Sequence, residues 1–196
     1  MNSPASRKTL PRRSVIAVIG DSHVNPESAP YGLAEATGRQ LVEAGYRVLT
    51  GGMGGIMEAA CRGAKSAGNY LPGDTIALLP GHDPEQANPF ADIVIPTGLD
   101  HVRNSVVAHA DAIVAIGGGA GTLSEICFAW MYKRLVIGMQ NVGGWSSRLA
   151  GERLDQRIRY STIPEDCIYP AADPAEVVRL LEKHLSSYKA QHTRIR

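Results

Sequence analysis

Short apolar runs alternate with longer segments of mixed polarity along this chain, and the two kinds of segment differ in period. Seven runs are short and apolar: residues 15–19, 46–49, 75–79, 93–95, 112–116, 135–138 and 167–169. Runs of this length predict strands, and a run apolar throughout predicts a strand buried on both faces. Between them, apolar residues recur every three or four positions, which predicts helices. The first helix is expected over 31–44, with Leu33, Ala34, Thr37, Leu41 and Val42 buried and Gly45 as its C-terminal cap. A second follows the glycines after residue 50 and ends at Gly68, and a third covers 99–110. A fourth opens at Gly121 and Thr122, with Leu123, Ile126, Cys127, Trp130 and Met131 as its apolar stripe. Asp173 and Pro174 supply the cap and first position of a last helix ending near His184. Residues 141–165, which include Gly143, Gly144 and Trp145, predict a loop that is helical in part.

Strict strand–helix alternation predicts an α/β fold. It is a doubly wound, Rossmann-like parallel sheet of about seven strands with helices on both faces. Ligands in such sheets bind beyond the carboxyl ends of the strands, where the strand order reverses. Three strand ends carry unusual chemistry: Gly20-Asp21-Ser22, the glycines of TGGMGG (Gly51, Gly52, Gly54, Gly55), and the turn at 117–122. All three are expected at one crevice. The last is the most telling, because the glycines Gly117, Gly118, Gly119 and Gly121 deliver the strand directly to a helix N-terminus. Amide N–H groups there lack intrahelical partners, the helix dipole favours an anion, and glycine lets a phosphate approach the backbone. Thr122 adds a hydroxyl, and Glu125 follows about one turn later.

Composition narrows the partners. With 20 Lys and Arg against 19 Asp and Glu, the net charge of +1 gives no bulk attraction to nucleic acid or membrane. No apolar run reaches transmembrane length. Cys61, Cys127 and Cys167 stand far apart and predict buried free thiols in a reducing cytoplasm. Residues 14–185 are expected to form one nucleotide- or phosphate-binding domain, between a disordered arm at 1–13 and a polar tail at 186–196. The first turn is GDSHVNP rather than G-x-G-x-x-G, and the second strand ends in Thr50 rather than an acidic residue, which argues against a nicotinamide enzyme. No G-x-x-x-x-G-K-[ST], no G-x-S-x-G and no paired His or Cys pattern is present, so a P-loop ATPase, an α/β-hydrolase and a metal site are not expected.

The segment GGGAGTLSE (117–125) resembles the P-G-G-x-G-T-x-x-E motif of the Lonely-guy (LOG) family, long described as lysine decarboxylase-like. TGGMGGIME (50–58) is similar to that family's second glycine motif, and His101-Val102-Arg103 falls at its M-H-x-R-K. The resemblance implies hydrolysis of the N-glycosidic bond of nucleoside 5′-monophosphates such as AMP or cytokinin ribotides, with Arg103 and Glu125 as the catalytic pair. It implies a ligand cradle drawn from Gly20, Ser22, Gly51, Gly52, Gly54, Gly118, Gly119, Gly121 and Thr122, no required cofactor, and at least a homodimer. Gly117 stands where the family has proline, and Asn104 where it has lysine. Those departures and the Gly143-Gly144-Trp145 segment resemble a sister branch that includes molybdenum-cofactor carrier proteins. The alternative expectation is therefore a carrier or sensor of a phosphorylated heterocycle, molybdenum cofactor included, that binds without turnover.

Overall fold

The structure is a computed structural model that describes residues 12–192. Its strands are β1 (Val15–Gly20), β2 (Arg47–Thr50), β3 (Thr75–Leu79), β4 (Ile93–Pro96), β5 (Ala112–Ile116), β6 (Leu135–Met139) and β7 (Tyr169–Ala171). They form one parallel sheet in the order β4-β3-β2-β1-β5-β6-β7. The helices are α1 (Ala29–Glu43), α2 (Ile56–Lys65), the single turn α3 (Asn104–Val107), α4 (Ala120–Met131), α5 (Gly144–Leu149) and α6 (Pro174–His192). This is the Rossmann-like α/β fold that the alternation predicts. The order reverses between β1 and β5, so the crevice that such a sheet offers to ligands opens at Gly20 and Ile116, which lie side by side.

Alternate strand residues feed two cores. Ile16, Val18, Val114, Ile116 and Ile137 pack under α1, α2 and α6. Ala17, Ile19, Ile113, Ala115 and Val136 pack under α3 and α4. β5, in the middle, is fully buried along its whole length, as expected of an apolar run covered on both faces.

Several elements depart from the sequence expectation. α2 stops at Lys65 rather than Gly68, because the Ser66 N–H and hydroxyl both donate to the Gly63 carbonyl and close the helix there. The expected helix over 99–110 is a 3-10 turn at Asp100–Arg103 followed by the one turn of α3. The last strand begins at Tyr169, because Ile168 is held off the sheet by backbone bonds to Gly151 and Glu152. α6 continues beyond His184, through part of the expected polar tail. Tyr188 is fully buried and donates to Asp166 at 2.5 Å, which draws the helix along. Residues 1–11 of the expected arm lie outside the described residues. Arg12 and Arg13 are tied to Asp111 and Asp74. Among the cysteines only Cys61 is buried, while Cys127 and Cys167 are half-buried; all three are free.

The stripe of α4 is also rotated from the expected one. Thr122, Glu125, Ile126, Ala129 and Trp130 face inward, whereas Leu123, Cys127, Phe128 and Met131 line a shallow apolar groove on the outside. Helix periodicity admits both faces of so apolar a segment, and only packing selects between them.

Candidate functional site

A cavity of about 370 Å³ lies over the switch point. Gly20, Asp21 and Ser22 line it from the end of β1, and Gly119, Ala120, Gly121, Thr122 and Glu125 from α4. Met53 and Met57 contribute from the second glycine turn and α2, Pro80 from the end of β3, and Asp100, His101, Arg103 and Asn104 from the 3-10 turn and α3. Among the described residues no group of three or more His, Cys, Asp or Glu side chains is placed to hold a metal ion.

The turn at 117–122 is held in shape from behind. Gly117 and Gly118 take φ of +65° and +98°, a region that costs glycine little. A Cβ on Gly118 would lie 2.4 Å from the Thr122 side chain, so the turn folds back over the buried threonine. The Ser146 hydroxyl accepts from the Gly117 N–H at 2.8 Å and donates to the Met139 carbonyl at 2.9 Å. The N–H groups of Trp145 and Ser146 donate to the carbonyls of Gly118 and Gly117, both at 3.0 Å. The GGWSS segment thus braces the turn. In front, the first-turn amides of α4 lie beyond the reach of intrahelical acceptors and border the cavity, where an anion would complete them.

Arg103 and Glu125 meet at 3.2 Å, from Nη1 to Oε1, and both are buried. The contact is a single N–H···O rather than a two-pronged one, and the Arg103 Nε has no partner among the described residues. Burial pushes the Glu125 carboxyl up to about 7, with the Arg103 guanidinium pulling the other way. Burial lowers the pKa of Arg103, and Glu125 opposes that. A carboxylate held near neutrality in a cavity is suited to binding or moving a proton there. Beside them, the Asn104 side-chain amide donates to the Ser124 hydroxyl at 2.8 Å and ties α3 to the first turn of α4.

The residues expected at the site fall into two groups. Gly20, Ser22, Gly119, Gly121, Thr122, Arg103 and Glu125 border the cavity. Gly118, Gly51, Gly52 and Gly54 are not among the residues that line it. Gly51 has a definite structural role, because a Cβ there would lie 2.5 and 2.7 Å from the two terminal nitrogens of Arg103. The guanidinium rests on bare backbone, which aims it at Glu125. Gly52, at φ +79°, turns its carbonyl toward the N–H and side-chain amide of Asn88. Gly51→Ala is accordingly expected to fold, since only the ends of two flexible side chains, the Arg103 guanidinium and the Met57 sulfur at 2.8 Å, must yield. If Arg103 serves Glu125 as its position suggests, the variant will lose turnover by about tenfold or more for a displacement of about 1 Å. Thermal melting and AMP turnover measured together test this; unchanged turnover would remove Gly51 from the account.

Sequence reasoning placed Asp21 at the crevice without giving it a role, and left Met53, Met57, Asp100 and Ser146 out of the site. Asp21 stood in plain view within GDS, and Ser146 follows a Gly-Gly-Trp segment whose purpose shows only when the chain doubles back onto the glycine turn. The methionines and Asp100 carry no sequence signal of their own.

Known proteins resemble this chain in sequence and in fold. An uncharacterised protein of Archaeoglobus fulgidus is 42% identical over 115 residues, covering 58% of this chain and 72% of that protein. The cytokinin riboside 5′-monophosphate phosphoribohydrolase LOG of Oryza sativa subsp. japonica is 26% identical over 165 residues, 78% of this chain and 66% of the rice protein. The molybdenum cofactor binding protein of Rippkaea orientalis superposes with a TM-score of 0.71 at 28% identity, over 88% of this chain and 98% of that one. The braced glycine turn and the sheet that carries it both lie within residues 13–177, the span matched by the SLOG cluster4 family, and the chain belongs to that family.

Proposed function

We propose that the cavity binds a nucleoside 5′-monophosphate and that the protein hydrolyses its N-glycosidic bond, releasing the base and ribose 5-phosphate. The observation that carries this reading is the buried Arg103–Glu125 pair beside the amide-lined N-terminus of α4. The phosphate takes the first-turn amides and the Thr122 hydroxyl. The flat base lies toward Met53, Met57 and Pro80, the apolar part of the lining. Breaking a ribosyl–base bond develops positive charge on the sugar, and an ionised Glu125 stabilises that charge and orients the attacking water. Arg103 holds the carboxylate in place through one guanidinium N–H and leaves its other donors free to engage the substrate. No cofactor enters this scheme.

A second reading is a carrier of a phosphorylated heterocycle such as molybdenum cofactor. Two observations favour it: the amide side chain of Asn104 is already committed to Ser124, and a structural relative is a molybdenum cofactor binding protein. The donor set fits the organic part of such a group, with amides for its phosphate and Ser22 and Asp100 for the polar edge of its pterin. The same residues would bind it and exclude water from it.

The working assembly is at least a homodimer. The apolar groove of α4 leaves Met131 53% exposed, and Val102 and Val106, in the 3-10 turn and α3, are 66% and 39% exposed. A second copy is the partner that the family resemblance supplies for such a face. The free thiols suit the cytoplasm. Among the described residues no helix is long and apolar enough to cross a membrane. Residues 14–185 act as the binding domain.

The test is incubation of purified protein with AMP, followed by chromatography for adenine, on a preparation sized by light scattering. Adenine release by a dimer is the expected outcome. Absence of release, with thermal stabilisation by AMP or a pterin phosphate, would replace hydrolysis with the carrier reading. A monomer would withdraw the α4 groove as an interface.

A further inference from the structure

We propose that Asp21 makes the glycine cradle selective for a singly charged phosphoryl group, because it holds a carboxylate where a ligand's second negative charge would fall. The inference rests on the reading above, that a phosphoryl group sits at the N-terminus of α4. The Asp21 carboxylate already occupies part of that cradle. Its Oδ2 accepts from the Gly118 N–H at 3.1 Å. Cβ positions on Gly117 and Gly119 would lie 3.6 Å from Oδ2 and Oδ1, so the carboxylate lies along the turn instead of touching it at one point. Its backbone is fixed as well, since the Ile56 N–H donates to the Asp21 carbonyl at 3.0 Å.

The rest of the cavity does not offset this charge. Its lining carries three carboxyl groups, Asp21, Asp100 and Glu125, against one guanidinium, and that guanidinium is engaged with Glu125. His101, the other basic side chain in the lining, is almost fully exposed to solvent. The amides and dipole of α4 therefore act on an anion that shares their field with the chain's own acid. A dianionic phosphate meets more repulsion there than a monoanion does, and because Asp21 is exposed to solvent the difference is largest at low ionic strength.

The experiment compares the natural chain with Asp21→Asn by calorimetric titration at pH 8 and low ionic strength. The probes are AMP, a dianion at that pH because phosphate monoesters lose their second proton near pH 6, and the 5′-phosphomethyl ester of AMP, a monoanion. Asparagine still accepts from the Gly118 N–H, so the turn keeps its bond and only the charge is removed. The natural chain is expected to bind the ester at least as tightly as AMP. Asp21→Asn is expected to tighten AMP binding by about tenfold, a step of about 1.4 kcal/mol, and the singly charged ester by only about threefold, since repulsion scales with ligand charge. Equal gains for both ligands, no change, or weaker AMP binding would overturn the role of Asp21. If binding of both ligands is lost in Gly121→Asp yet insensitive to Asp21→Asn, the phosphate reading stands and this inference falls. If neither protein binds either ligand, both fall together.

Discussion

Glu125→Gln is expected to lower AMP hydrolysis by about 10²–10⁴-fold, the usual contribution of a positioned acid–base group, and to raise the melting temperature above pH 7. The two effects have one cause. Burial lifts the Glu125 carboxyl from its ordinary 4.5 to about 7 in the folded chain, so the folded state holds this proton more firmly than the unfolded state does. Between about pH 4.5 and 7 the native state binds more protons, and stability falls as pH rises through that window. Above it, the full penalty of an ionised buried carboxylate is present. Glutamine never ionises, so the variant escapes the penalty while Arg103 keeps an oxygen acceptor. Activity should run the other way. If the ionised carboxylate orients water, turnover by the natural chain climbs with pH through about 7, across the range where the fold loses stability. Melting curves at pH 5 and pH 8 for both proteins, with a pH–rate profile for the natural one, separate these claims. A flat rate profile would remove Glu125 ionisation from the mechanism, and equal melting shifts in both proteins would remove it from the stability.

The second large effect is far from the cavity. Asp166→Ala is expected to destabilise the protein by about 3–5 kcal/mol, the cost of removing one partner from a buried ion pair, and to lower its melting temperature by roughly 10 °C. Asp166 is 2% exposed and accepts from Arg159 through both of its oxygens, at 2.8 and 2.5 Å, and from the Tyr188 hydroxyl. The Arg159 guanidinium lies 3.5 Å from the centre of the Trp130 ring and donates to the carbonyls of Trp130 and Arg134. One side chain thereby joins the end of α4, the long segment before β7, and α6. Without Asp166 the cation stays buried with only carbonyls for company. A change below about 1 kcal/mol would show that water reaches Arg159 and that the segment is not pinned there. Turnover at 25 °C should persist as long as the variant is folded, since none of these groups lines the cavity.

Much of the molecule was legible in its sequence. Short apolar runs separated by helical periods determine a parallel α/β sheet, because a strand buried on both faces needs helices on both sides. The glycine-rich turn before α4 marked the carboxyl end of a strand, and Arg103 and Glu125 stood out through a motif whose spacing is local. What could not be read depended on contacts between distant parts of the chain. Helical period put Ile126 and Trp130 inward but allowed α4 to bury beside them either Leu123, Cys127 and Met131 or Thr122, Glu125 and Ala129. The sheet chose the second set, which aimed Glu125 at Arg103 and left an apolar groove outside. Tyr188 looked like part of a polar tail until Asp166 and Tyr160 closed around it. The second set of glycines read as part of a ligand cradle, and only the fold shows that Gly51 also makes room for an arginine 52 residues later. Asp21 was expected at the crevice, but only folding placed its carboxylate on the Gly118 amide, 97 residues away. Period and turn chemistry are properties of neighbours along the chain and therefore belong to the sequence. The partner of a buried charge and the exposed face of an apolar helix are settled only by which distant surfaces exclude water together, and for this protein that was decided by the tertiary structure.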